Sequence, residues 1–174
     1  MKKYLLFLLL SCTSAYAENE ILLKAGPTTT YPNDSWSTTN TPRIRIGIEY
    51  RSMLNTENLL SGLYGIEVAY SKLPVDWSKT DYNEWDNSFK IGMCAGYEVK
   101  FCPIIGMTQQ LIKGQQEWSH IWGSNIGLNL LVIPKKNRII SGFELTKRTS
   151  VIHLDNISYR WDKVDLNAMI GIRF

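Results

Sequence analysis

The chain has 174 residues, 44% of them hydrophobic, 11% aromatic and 20% charged. That is enough apolar material for one folded domain and too much for a disordered polyelectrolyte. Its 19 Lys and Arg against 16 Asp and Glu give a net charge of +3, and removing Lys2 and Lys3 with the leader described next leaves 17 against 16, or +1, so no basic stripe points to nucleic acid.

Met1 to Ala17 carries Lys2 and Lys3, an apolar run from Tyr4 to Leu10, and the small-x-small site Ala15-Tyr16-Ala17. This is the pattern of a secretory signal peptide cut before Glu18. Leu9-Leu10-Ser11-Cys12 also resembles a lipobox, which would instead make Cys12 a lipidated N-terminus. Either processing exports the chain. The expected division is a signal peptide over 1–17 and one barrel domain over 18–174. Beyond the leader no run of about 18 apolar residues offers a transmembrane helix.

From there the dominant signal is alternation at period two, the mark of strands with two different faces. A weak first strand covers Ile21 to Gly26 and is followed by a long polar connection, Pro27 to Pro42. In the second, Arg43 to Arg51, Ile44, Ile46, Ile48 and Tyr50 oppose Arg45, Gly47, Glu49 and Arg51. After a turn over Leu54 to Asn58 comes Gly62 to Tyr70, where Tyr64, Ile66, Val68 and Tyr70 oppose Leu63, Gly65, Glu67 and Ala69. A second long polar connection is predicted over Ser71 to Asn87. From Ser88 to Phe101, Phe89, Ile91, Met93 and Ala95 oppose Lys90, Gly92, Cys94 and Gly96, with a turn expected near Val99 to Phe101. A weak fifth strand covers Pro103 to Lys113. In Trp118 to Val132, Ile126, Leu128, Leu130 and Val132 oppose Asn125, Gly127 and Asn129. A turn over Ile133 to Asn137 leads to Arg138 to Ser150, where Phe143 and Leu145 oppose Glu144, Thr146 and Arg148. A connection over Val151 to Ser158 precedes the last strand, in which Val164, Leu166, Ala168, Ile170, Ile172 and Phe174 share one face.

Eight strands, with long connections at one end and turns at the other, describe an up-and-down barrel. The charged faces are rich in Gly and carry both signs, as a narrow, side-chain-filled interior requires. Strands of about ten residues suit a tilted bilayer crossing, and aromatics near the strand ends suit interfacial girdles. The expected fold is therefore all-β, an eight-stranded antiparallel transmembrane β-barrel with apolar faces to lipid. Its expected lumen charge network is Arg45, Glu49, Arg51, Glu67, Lys90, Glu98, Glu144, Arg148, Asp165 and Arg173, paired internally because buried charges are costly unless paired. The lumen of eight strands is too narrow for a diffusion pore; a narrow channel stays as an alternative.

On its final strand, Val164-x-Leu166-x-Ala168-x-Ile170-x-Ile172-x-Phe174, the chain resembles the small eight-stranded outer-membrane barrels of Gram-negative bacteria. The resemblance implies location in the outer membrane and a terminal signal, Ile170, Ile172 and Phe174, read by the barrel-assembly machinery. It does not imply one activity, since such barrels include adhesins, structural proteins and enzymes.

Other residues are candidates for chemistry. Cys94 and Cys102 are exported to the oxidising envelope, where a disulfide is favourable. On one continuous strand they would lie roughly 27 Å apart; a turn near Glu98 would bring them opposite each other, and the later turn preferred above would not. The pairing stays open. His120 and His153 are the only histidines, near Ser119, Thr149, Ser150 and Asp155, a composition compatible with a hydrolase at the membrane surface. Asn125-Ile126-Gly127-Leu128 and Gly142-Phe143-Glu144-Leu145 resemble the lipid A deacylase barrels. That family carries a His and a Ser facing lipid on the seventh strand; here Lys147 and Thr149 stand in those places, so the base is missing. Lys147 and Arg148 are expected instead at the rim, meeting lipopolysaccharide phosphates. Trp36, Trp77, Tyr82 and Trp85 are loop-binding candidates, the last three among Asp76, Asp81, Glu84 and Asp86 in a spacing that matches no calcium loop.

No catalytic residue, metal site or cofactor is expected. The reading is a non-enzymatic outer-membrane barrel that displays extracellular loops in a structural or surface-interaction role, with outer-membrane lipid, lipopolysaccharide, the assembly machinery and an unnamed extracellular ligand as partners. A catalytically degenerate lipid A hydrolase is the enzymatic alternative.

Overall fold

A strand with one apolar and one charged face must bury one of them, and a sheet that closes on itself also leaves no backbone edge unpaired. The computed structural model describes residues 17–32, 42–75, 80–113, 118–135, 137–154 and 157–174. They form β1 (Ala17–Pro32), β2 (Arg43–Leu54), β3 (Leu60–Val75), β4 (Thr80–Gly96), β5 (Val99–Lys113), β6 (Trp118–Val132), β7 (Ile139–Leu154) and β8 (Ile157–Arg173). Each strand pairs antiparallel with its neighbours in sequence, and β1 closes on β8 from Glu20↔Arg173 to Pro32↔Trp161. The fold is a closed, all-antiparallel eight-stranded barrel.

Alternation sets the faces as expected. Ile46, Phe89 and Ile170 are 59%, 49% and 57% exposed on the outer wall, while Arg45, Glu49 and Lys90 are buried inside. Leu128 is half-buried on the outward parity.

The strands run further than the local pattern indicates. β1 continues to Pro32, and β3 and β4 occupy most of the predicted Ser71–Asn87 connection, in register from Ser71↔Glu84 to Val75↔Thr80. β7 and β8 likewise absorb most of Val151–Ser158. Ala17, the last residue of the expected leader, is the first of β1 and pairs with Leu54; the rest of that leader, Cys12 included, lies outside the described residues.

The connections after β2, β4 and β6 (55–59, 97–98 and 133–138) lie at the turn end, which holds both Ala17 and Phe174, and those after β1, β3, β5 and β7 lie at the loop end. Because the strands extend into the predicted long connections, only 33–42 stays longer than the turns. After β2, Asn55 takes φ 58° and its carbonyl accepts from Asn58 N–H at 3.0 Å; Asn tolerates this left-handed geometry better than most residues. The turn after β4 is Tyr97–Glu98, two or three residues earlier than the sequence pattern indicates. Gly96 makes it possible. Its φ is +124°, and a Cβ there would meet the Val99 carbonyl oxygen at 2.0 Å.

Candidate functional site

The inward-facing residues fall into three storeys. In the middle, Lys24 on β1 reaches Glu49 and Glu67 at 2.8 Å each and Glu144 at 2.5 Å. Lys90 on β4 meets the same three carboxylates, Glu49 at 3.3 Å, Glu144 at 3.0 Å, and Glu67. One oxygen from each of Glu49, Glu67 and Glu144 lies within 4.8 Å of the others, close enough to surround a cation, and the two ammonium groups serve that need. Arg51 Nε donates to Glu49 at 2.7 Å. Asn129, with its amide oxygen turned to Arg51 (3.1 Å) and its nitrogen to Glu144 (2.9 Å), joins those two.

Toward the loop end, Arg45 links Glu67 to Asp86. Arg148 grips Asp165 with Nε at 2.6 Å and Nη2 at 2.9 Å, and also pairs with Asp86. This two-pronged geometry gives strong, directional charge-assisted bonds. Lys163 pairs with Glu84.

Toward the turn end, the lumen is apolar: Leu22, Met53, Leu63, Ile104, Leu131 and Ile140 pack there with Met169 and the Cys94–Cys102 disulfide. The two cysteines face each other across the β4–β5 hairpin, where the ladder breaks between Gly92↔Ile104 and Ala95↔Phe101. Pro103 has no N–H to give the ladder at that point. Lys100 closes this end, donating to Ser61 Oγ at 2.7 Å and to the carbonyls of Gly96 (2.9 Å) and Asn58 (3.2 Å).

Among the described residues, the buried lumen charges are seven acids (Glu20, Glu49, Glu67, Glu84, Asp86, Glu144, Asp165) and seven bases (Lys24, Arg45, Arg51, Lys90, Lys100, Arg148, Lys163). The interior is neutral as well as filled.

Measured against the sequence-based expectations, Arg45, Glu49, Arg51, Glu67, Lys90, Glu144, Arg148 and Asp165 lie in the lumen. Arg173 stands at the turn-end mouth, pairing with Glu18 at 2.8 Å and lying 3.6 Å from Glu20. Glu98 does not join the network; it is exposed in the β4–β5 turn, because that turn falls earlier than expected. Arg148 is not a rim residue. It is 1% exposed, since its parity turns it inward. Glu84 and Asp86 are lumen ligands rather than acids of an exposed loop, because β4 extends through them.

Lys24, Glu84, Asp86 and Lys163 are network members that sequence reasoning missed. Leu22 beside Leu23 hides the alternation that puts Glu20, Leu22 and Lys24 on one face. In β4 the uniformly polar even positions Glu84, Asp86, Ser88 and Lys90 were a usable signal, obscured by Asn87 on the apolar face.

Ser150 also faces inward and is buried, whereas Thr149 and Lys147 face outward. Asp162 on β8 accepts from Thr149 Oγ1 at 2.8 Å, Lys147 Nζ at 3.2 Å and Arg160 Nε at 3.2 Å. The Nδ1 of His120 lies 3.4 Å from Gln109 Nε2, and His153 pairs with Ser158 in the β7–β8 ladder. Asp155, Trp36 and Trp77 lie outside the described residues. Tyr82 is placed in the ladder opposite Leu73. Trp85 is 42% exposed and stacks obliquely on Tyr70, ring centres 5.1 Å apart, the position of a girdle aromatic on the outer wall. Ile170, Ile172 and Phe174 form an exposed apolar row on β8.

No family model and no curated protein matches the chain. Solved structures do. Neisserial surface protein A is 12% identical, with a TM-score of 0.56, covering 90% of this chain and 97% of its own. Ail, the attachment invasion locus protein of Yersinia pestis, is 16% identical, with a TM-score of 0.52, covering 91% and 99%; it has also been solved with the heparin analogue sucrose octasulfate. The chain shares the fold of these small outer-membrane barrels.

Proposed function

We propose that this protein is a non-enzymatic barrel of a Gram-negative outer membrane, exported by cleavage of residues 1–17 and displaying the four connections of its loop end outside the cell in a structural or surface-interaction role. The observation that carries this is the pairing of an apolar outer wall with a neutral, ion-paired lumen. Ile, Leu, Val and Phe dissolve in hydrocarbon, and closure satisfies the backbone. Among the described residues, the apolar storey and the Lys24–Lys90 network cross the lumen in succession and occupy the path a solute would take. That weighs against the channel reading.

The hydrolase reading has less support. Ser150 is turned into the lumen, away from any lipid ester. On the lipid face, Lys147 stands where the resemblance would place the base, and it is engaged in an ion pair with Asp162. The attachment protein named above lends the surface-interaction role plausibility through fold alone. Ile170, Ile172 and Phe174, an exposed apolar row along β8, suit recognition by the assembly machinery.

The test is expression in a Gram-negative host. The protein is expected in the outer-membrane fraction, with heat-modifiable mobility on gels and no change in lipid A mass. A lipid A mass shift that depends on the protein would overturn the non-enzymatic reading.

A further inference from the structure

Along β6, β7 and β8 the outward residues can be followed row by row. Ile126, Lys147 and Val164 share one row; Ser124, Thr149 and Asp162 share the next toward the loop end. Lys147 therefore starts from an apolar row, and its long stem carries the ammonium up to Asp162, as lysines near a bilayer surface do. Arg160, one row further still and opposite Val151, reaches down to the same carboxylate. Two cations share one anion here. The Asp162 side chain is only 13% exposed, while those of Lys147 and Arg160 are 49% and 51% exposed. The covered acid fixes the two bases and leaves a net positive charge facing outward.

Directly beside this cluster the outer wall is hollowed. Ser124 is a small residue among large ones, paired with Met107 on one side and Thr149 on the other. Around it Phe89, Ile91, Ile105, Met107 and Ile126 line a groove of about 450 Å³, whose upper edge is Lys147 and Thr149. An apolar trough that ends at a fixed positive charge is complementary to a lipid with an acyl chain and a phosphate.

We propose that this face of β4–β8 holds one phosphorylated glycolipid of the outer leaflet, lipopolysaccharide, with an acyl chain over Ser124 and a phosphate on Lys147 and Arg160. The proposal rests on the outer-membrane reading above, which puts the loop end in the leaflet where that lipid resides. Asp162, itself held by Thr149, competes with the phosphate for the two cations.

The experiment refolds the mature barrel into bilayers containing lipopolysaccharide and counts, by native mass spectrometry after gentle extraction, the lipid retained per barrel. Parallel arms use dephosphorylated lipopolysaccharide and phosphatidylglycerol, and heat-modifiable mobility verifies that each variant is folded. The wild type should retain the phosphorylated form. Lys147→Gln and Arg160→Gln should each reduce retention by about tenfold, the loss of one charge-assisted hydrogen bond. Ser124→Phe should reduce it by filling the trough while leaving the charges untouched. Asp162→Asn should increase it, because both cations are released to the phosphate; a purely structural role for the cluster predicts no gain. Equal retention in wild type and the Lys147→Gln/Arg160→Gln double variant, or of the dephosphorylated lipid or phosphatidylglycerol, overturns the site while leaving the outer-membrane reading standing. Recovery of the wild type from the inner membrane instead removes the location reading and this site with it.

Discussion

Lys24 and Lys90, on strands β1 and β4, bind the same three carboxylates, Glu49, Glu67 and Glu144. Those acids come from β2, β3 and β7, so a single cluster of five side chains ties together five of the eight staves of the barrel. The arrangement is cooperative by construction: each ammonium contacts three acids, and each acid contacts both ammonium groups.

Lys24→Met should therefore be far more damaging than the loss of a surface pair. Breaking a buried pair from one side costs about 3–5 kcal/mol, because the partners stay buried without compensation. Adding Glu144→Gln to Lys24→Met should recover part of that loss. Urea unfolding of the four proteins in bilayers measures the coupling; strictly additive losses would mean that the two side chains do not interact.

The disulfide should be detectable and worth measuring. Without reduction, the unfolded mature protein should show no alkylatable thiol at Cys94 or Cys102. Cys94→Ser/Cys102→Ser should lower stability by about 2–3 kcal/mol, the chain-entropy value for so short a loop. The hairpin is already registered by its ladder, so the fold itself should persist, as gel mobility would report.

On the outer wall, Ile48 stands near mid-strand, between Leu23 and Val68 on the neighbouring strands. Ile48→Arg should cost about 2–4 kcal/mol in a bilayer, the range for a charge near the midplane of a barrel's lipid face. Ile48→Val should cost under about 1 kcal/mol. An arginine tolerated at no cost would place Ile48 in water and contradict the lipid-facing assignment.

In planar bilayers the wild type should give no discrete conductance steps. Opening a path would require removing both the ionic and the apolar storeys, so Leu131→Ala alone should stay silent as well. Stepwise currents from folded wild-type protein would reinstate the channel reading.

Much of this was legible along the chain. Ile44, Ile46, Ile48 and Tyr50 against Arg45, Glu49 and Arg51 announce a two-faced strand, and the Gly-rich charged faces announce a crowded interior. The limits of the strands were less legible. Glu84 and Asp86 look like loop acids because local polarity is read as exposure, yet their partners, Lys163 and Arg148, are supplied by strands far away in sequence. The turn after β4 was placed late because the apolar parity continues unbroken from Ala95 through Tyr97, Val99 and Phe101, and only Gly96 marks the reversal.

Period-two alternation is a local property: successive side chains on a strand point to opposite faces, so the chain alone decides which residues face hydrocarbon and which face inward. Pairing across the lumen is not local. Lys24 meets Glu144 over a separation of 120 residues, and that contact exists only once closure and register have set the height of every side chain. Closure also stacked Leu22, Leu63, Leu131 and Ile140 into an apolar storey that the individual strands do not foreshadow.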